Sequence, residues 1–246
     1  MFSLFRDFTL NATTLMDAMK KDVPKAFSNK NARKEALIED WKAGELDQEQ
    51  AEMFTAAMHS HSLPTAMGVA KWGDFTGVKR LLDIGGGSGC FCIALAMHYP
   101  EMLFTVIELE AICPVTKRYI AEFGLEDRID TRAVDIFREP WPTGYDAIFM
   151  SHIFHDWDLA HCYHLAHSSF EALPSGGRIY LHEILINDTK DGPLPAISYS
   201  MQMIAFTKGK QLTADELENI LSEVGFKNMS IIPTFGYHFL ISAEKP

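Results

Sequence analysis

The chain has no apolar run of the roughly 18 residues that a membrane-spanning helix requires, so no such helix is expected. A secretory leader is not expected either, because the opening MFSLFRDFTL meets Arg6 and Asp7 before an apolar core can form. Cysteine is sparse: Cys90, Cys92, Cys113 and Cys162 show no CxxC spacing, which points to reduced thiols in a cytoplasmic protein. Positive charge is also in deficit. With 22 Lys and Arg against 33 Asp and Glu the formal charge is −11, a field that repels phosphate backbones and disfavours nucleic acid as the main partner. Repeats and low-complexity tracts are missing. What remains is 246 residues of ordinary globular composition, 47% hydrophobic and 22% charged, enough to bury a sizeable core without staples.

Residues 1–75 read as helical, because Leu10, Leu15, Met19 and then Met53, Phe54 and Met58 recur at near-helical spacing. From Val78 the pattern alternates. Strands are expected at RLLDI (80–84), FTVIEL (104–109), IDTRAVDIF (129–137), YDAIFMSH (145–152) and RIYLHEILI (178–186). Helices are expected at CFCIALAMHY (90–99), PVTKRYIAEFG (114–124), 158–173 and TADELENILSEVGF (213–226), the last opened by a Thr213/Glu216 capping box. NMSIIPTF (228–235) and YHFLISAE (237–244), joined at Gly236, make a tight antiparallel pair. The expectation is an α/β fold: a doubly wound, mostly parallel sheet with an antiparallel C-terminal edge hairpin, preceded by N-terminal helices.

The first strand ends in Gly85-Gly86-Gly87-Ser88-Gly89, where open α/β sheets place their ligands. A dinucleotide fingerprint needs a third glycine where Cys90 stands, which disfavours a nicotinamide oxidoreductase. The pattern is instead Asp83-x-Gly85-x-Gly87-x-Gly89. Glycines let a ligand approach the backbone, and a carboxylate nearby suits a cation better than a diphosphate. S-adenosylmethionine, with an ammonium, a sulfonium and no phosphate, fits that chemistry. Glu108, at the end of the second strand with Leu109 after it, could accept both ribose hydroxyls. Asp135, at the end of the third, could accept from an adenine amino group, with Ile136 and Phe137 covering the base.

The fourth strand runs into Ser151-His152-Ile153-Phe154-His155-Asp156-Trp157. A histidine here suits general-base work, since its reference pKa of about 6.5 lies near working pH. Glu183, on the fifth strand, is placed to orient it. Methyl transfer to a hydroxyl needs little more: the proton must leave, the oxygen must lie in line, and water must be kept out. His161, His164 and His167 recur every third residue on one helix without a Cys or carboxylate partner, so no metal site is expected. Met58, Phe154, Trp157 and Met201, with Met53, Met150, Met203 and Phe54, serve either as core or as the lining of a flat acceptor pocket.

LLDIGGGSG (81–89), VDIF (134–137), AIFMSHIFHDWD (147–158) and ALPSGGRIYLHEIL (172–185) together resemble the S-adenosylmethionine-dependent O-methyltransferases related to plant caffeic acid and animal hydroxyindole O-methyltransferases. The resemblance implies His155 as catalytic base with Asp156 beside it at the acceptor hydroxyl, Glu183 as its orienter, Glu108 as the ribose-binding acid, and Asp135 with Ile136 at adenine. It implies S-adenosyl-L-methionine as cofactor, S-adenosyl-L-homocysteine as product, and a hydroxyl-bearing aromatic or polyketide-like acceptor of secondary metabolism. Two positions depart from the plant pattern: Gln211 in KGKQLT (208–213) replaces a second glutamate beside the histidine, and Ser151 replaces a lysine near the cofactor. Gln211 can still hydrogen-bond an acceptor, but not by charge.

Family members carry an N-terminal dimerisation domain. LMDAMKKDVPKAF (15–27) and MFTAAMHSHS (53–62) resemble the helices that link it to the catalytic part, and most of that domain is expected to be missing, which leaves homodimerisation open. The division expected is a helical segment over 1–75, lining the substrate, and a cofactor-binding catalytic domain over 76–246. The rival readings are other chemistry on the same fold, such as hydroxylation, decarboxylation or C- or N-methylation, and a non-catalytic interaction module.

Overall fold

The computed structural model describes residues 47–246, together with Met16 and residues 19–21. The expected helices over 10–46 otherwise lie outside the described residues. Helix α1 (Gln48–Trp72) opens on a capping box, in which Asp47 Oδ1 accepts from Gln50 N–H at 2.8 Å and Gln50 Oε1 accepts from Asp47 N–H at 2.9 Å. It packs along α2 (Cys90–His98) and against β6 (Lys227–Phe235). Seven residues of α2, from Cys90 to Ala96, are buried, which explains its apolar surface all the way round.

The sheet has seven strands in the order β3-β2-β1-β4-β5-β7-β6. Strands β1 (Arg80–Ile84), β2 (Leu103–Glu108), β3 (Ile129–Ala133), β4 (Ala147–Ser151) and β5 (Arg178–Ile184) are parallel, and β7 (His238–Glu244) and β6 are antiparallel. Helices α3 (Cys113–Glu122), α4 (Leu159–Ala172), α5 (Leu194–Phe206) and α6 (Ala214–Val224) complete the layers. Strand periodicity divides the core. Ile148 and Met150 face one cluster with Leu165 and Leu217, while Ala147 and Phe149 face the other with Val69 and Phe91. Both faces of the sheet are thus covered, as a parallel sheet demands.

Three expectations need correction. The third strand stops at Ala133 instead of 137, because Asp135 Oδ1 accepts from Phe137 N–H at 3.0 Å and Asp135 O from Glu139 N–H at 2.9 Å, turning the chain away. The fifth strand stops at Ile184, and Ile186 makes only an isolated bridge to Thr213. Helix α5 has no counterpart in the sequence reading, since LPAISYSMQMIAF shows neither helical nor strand alternation.

Candidate active site

The cofactor side is made largely of backbone. Gly85, Gly87 and Gly89 take φ values of 64°, 57° and 73°, the left-handed region that favours glycine. A Cβ built on Gly87 would meet nothing within 4 Å, so the loop presents bare backbone to open space. Glu108 closes one wall at 8% exposure; its Oε1 accepts from Gly87 N–H at 3.2 Å and its Oε2 from Leu109 N–H at 2.7 Å. Burial pushes the Glu108 carboxyl up to about 7, against the pull of those two N–H groups. Each oxygen keeps a lone pair for a hydroxyl donor.

Asp83 is more deeply buried than Glu108. It lies 1% exposed, accepts from the Cys92 thiol at 3.2 Å, and is pushed up to about 7 chiefly by burial. A Cβ on Gly86 would strike its carboxyl, so Asp83 supports the loop from beneath. Asp135 stands in the turn beyond β3, 3.6 Å from Arg138 Nε, and Ile136 O accepts from Trp141 Nε1–H at 2.9 Å. Phe137 packs edge-on to Trp157 at 4.5 Å. His59 of α1, which the sequence reading did not single out, is hydrogen-bonded through Nδ1 to Ser88 Oγ at 2.8 Å and stacks on Tyr119 at 4.3 Å. Helix α1 therefore touches the glycine loop.

The region beyond β4 is made of side chains. After β4 the backbone turns left-handed at His152, with φ 58°, and enters a 3₁₀ turn over Phe154–Asp156. One carboxylate organises that turn: Glu183 Oε1 accepts from the N–H groups of Ile153 and Phe154 at 3.2 and 3.1 Å, and Oε2 accepts from His155 Nδ1–H at 2.7 Å. The His155 Nε2 atom remains, 3.7 Å from Asp156 Oδ1. Burial pulls the imidazole pKa down, but the Glu183 and Asp156 charges outweigh it and hold it at about 9. Gly209 permits the next loop to lie on this turn, since a Cβ there would come within 2.6 Å of the His155 carbonyl carbon and of Trp157 N.

Several expected residues have other surroundings. Ser151 Oγ is hydrogen-bonded to His182 Nδ1 at 2.9 Å, and His182 Nε2 to Thr234 Oγ1 at 3.2 Å. Phe154, 1% exposed, belongs to the main core; Met58 is half-buried on α1, and Met201 is 40% exposed on α5. Gln211 is buried, and its side-chain nitrogen and oxygen have no hydrogen-bond partner among the described residues. Of the three α4 histidines, His161 bonds Asp158 at 2.7 Å and stacks on Trp157 at 5.3 Å, which gives it a structural place.

The sequence reading missed a histidine cluster. His152 lies with its ring centroid 5.2 Å from His155, 5.5 Å from His61, 5.8 Å from His182 and 5.1 Å from His238, and Tyr199 of α5 stands 5.5 Å from His155. These residues come from α1, the 3₁₀ turn, β5, α5 and β7, so no local pattern announces them.

This fold is that of the class I S-adenosylmethionine-dependent methyltransferases. The chain belongs to the O-methyltransferase domain family, whose model matches residues 13–227. It is 38% identical over 174 residues to 3-hydroxy-5-methyl-1-naphthoate 3-O-methyltransferase of Streptomyces sahachiroi, covering 71% of this chain and 50% of that protein. It is 34% identical over 155 residues to L-tyrosine C(3)-methyltransferase of Streptomyces lavendulae, covering 62% and 42%. The structure of PigF with S-adenosylhomocysteine matches with TM-score 0.81 and 25% identity, over 95% of this chain and 69% of that one. The chain spans about half the length of the curated relatives it matches. Among the described residues no helix is long and apolar enough to cross a membrane.

Proposed function

We propose that the chain transfers a methyl group from S-adenosylmethionine to a hydroxyl of an aromatic or polyketide-like small molecule, with His155 as general base. One observation carries the reading. The buried His155–Glu183 pair, at 2.7 Å, stands at the carboxyl end of the same sheet whose first loop is an open glycine cradle. The cradle suits the cofactor, because Gly87 bars no approach and the free lone pairs of Glu108 suit a ribose diol. Glu108, Leu109, Asp135, Ile136 and Phe137 would hold the nucleoside, with Gly85, Gly87 and Gly89 under the amino acid portion. When bound, this cofactor supplies an electrophilic methyl group on a sulfonium.

His155 does the rest with the help of its neighbours. Glu183 holds the Nδ1–H tautomer, which leaves the Nε2 lone pair to take the acceptor's proton. Glu183 and Asp156 then stabilise the imidazolium, and burial at 4% exposure keeps water from competing. Because His155 is protonated at neutral pH, the productive complex holds one proton fewer than the resting site. A neutral imidazole facing a phenol and an imidazolium facing a phenolate meet that count equally.

The working compartment is proposed to be a reducing cytoplasm, in keeping with four buried, unpaired cysteines. Calorimetric titration with S-adenosylhomocysteine, with NAD as control, tests the cofactor, and the mass of phenolic acceptors incubated with S-adenosylmethionine tests the transfer. Micromolar binding of the first ligand only, and a product heavier by one methyl, are expected. Binding of neither ligand, or a product that gains oxygen or loses a carboxyl, overturns the reading.

A further inference from the structure

His152 is the most anomalous side chain in the molecule. It is not glycine, yet its backbone is left-handed. Both its ring nitrogens are shut off from solvent without a hydrogen-bond partner among the described residues, although the nearby His182 has both of its nitrogens bonded. A buried unpaired nitrogen is costly, and strained backbone adds to that, so such a residue persists where a ligand relieves it. A second nitrogen without a hydrogen-bond partner among the described residues belongs to a neighbouring ring. The Nδ1–H of His238 donates to Phe235 O at 3.2 Å, while its Nε2 has no partner, and the two rings are 5.1 Å apart.

We propose that His152, assisted by His238, is the specificity-determining residue of the acceptor site, holding a second hydroxyl group adjacent to the one that His155 deprotonates. The inference rests on the methyltransferase reading above and names its acceptor class: arenes with adjacent hydroxyls. The ring of His152 stands 5.2 Å from that of His155, so neighbouring oxygens of one aromatic ring reach one imidazole each. The protonation states select a hydroxyl. Burial first, and then the charge of His155, keep His152 well below its ordinary pKa, and burial holds His238 down also. A neutral His152 offers one N–H donor and one acceptor nitrogen, and His238 offers an acceptor. A hydroxyl, which both donates and accepts, meets that set. An anionic substituent does not, because Glu183 and Asp156 already outnumber the single imidazolium.

The test compares 2,3-dihydroxynaphthalene with 2-naphthol on the full chain, in the presence of a chelator. Wild-type protein is expected to favour the diol in kcat/KM by about tenfold or more, since a site built for a hydroxyl rejects its absence strongly. His152→Gly, which suits the left-handed backbone, is expected to cut that preference to about twofold, and added imidazole is expected to restore it. His152→Asn, also tolerant of that backbone, is the control for folding. Equal use of both naphthols by wild-type protein, an unchanged preference in His152→Gly, or failure of imidazole to restore it overturns the inference. Calorimetric binding of both naphthols to the S-adenosylhomocysteine complex reads the same preference without turnover. A retained binding preference with no methyl transfer would overturn the proposed activity and leave the role of His152 standing.

Discussion

The two halves of the site are built from different material. Around the glycine loop the contacts are made largely by backbone, with His59 of α1 at Ser88, and Gly87, Glu108 and Leu109 form one bonded unit. Around His155 they are made by side chains from α1, β5, α5 and β7, and one carboxylate carries three hydrogen bonds. A backbone cradle tolerates exchange of the side chains about it, because its shape comes from φ angles. A side-chain cluster depends on each member, since every loss strands a buried polar partner. The halves should therefore respond to mutation separately and in different ways.

The sharpest way to break this contrast is His155→Ala. It is expected to lower kcat by about 10²–10⁴-fold while leaving the dissociation constant for S-adenosylhomocysteine within about twofold. Parallel loss of turnover and of cofactor binding would join the two halves and remove His155 as the base. Next is Glu183→Ala, which strands an imidazolium and two buried N–H groups; denaturant unfolding should reveal a loss of about 3–5 kcal/mol. Glu183→Gln should fold better, and should shift the rising limb of the activity profile to lower pH, because the charge that raises the His155 pKa is gone. An unmoved limb would separate Glu183 from the titration.

Smaller effects probe each half alone. Gly209→Ala must push against the His155 carbonyl, so about 1–3 kcal/mol of stability should be lost together with turnover. Full turnover in that variant would mean the loop yields freely. Glu108→Ala should weaken S-adenosylhomocysteine by about 1–3 kcal/mol in calorimetry and leave acceptor binding alone. The mildest probe is pH. The folded His155 pKa, about 9, lies above its reference of 6.5, so its contribution to stability is complete below about pH 6.5 and is lost as pH rises through about 9. Turnover, which needs the site one proton poorer, should rise across the same window. Stability and activity that rose together would contradict the assignment.

The same contrast explains what could be read ahead of the structure. The glycine loop, the strand before it, Glu108, His155 and Glu183 lie in short segments with their own signatures, at or just beyond strand ends. Asp83 was harder, because a residue two positions before a ligand loop can point above or below it, and only the packing of Cys92 and Gly86 decides. The end of β3 was misplaced because VDIF is apolar enough to continue a strand, while the Asp135 turn competes through a single side-chain bond. Helix α5 is hard to detect, since its apolar residues include the exposed Leu194 and Met201 beside the buried Ala196 and Met203 and leave no clear period. His61, His182 and His238 carry no local motif and meet His152 only in the fold.

By itself, then, the sequence determined the alternating α/β order, the antiparallel hairpin, the glycine loop after β1 and the closeness of His155 to Glu183. Each of these rests on local chemistry: periodicity, glycine conformation, capping and motif spacing. Tertiary structure alone decided that Asp83 lies beneath the loop, that Gly209 presses on the turn of His155, and that five imidazoles converge beside it. Those depend on how helices cover the two faces of the sheet and where β7 returns along β5, which brings His238 opposite Ile184 in register. Contacts of that range are set by burial of apolar faces, and a burial pattern names a face without naming the neighbour that will meet it.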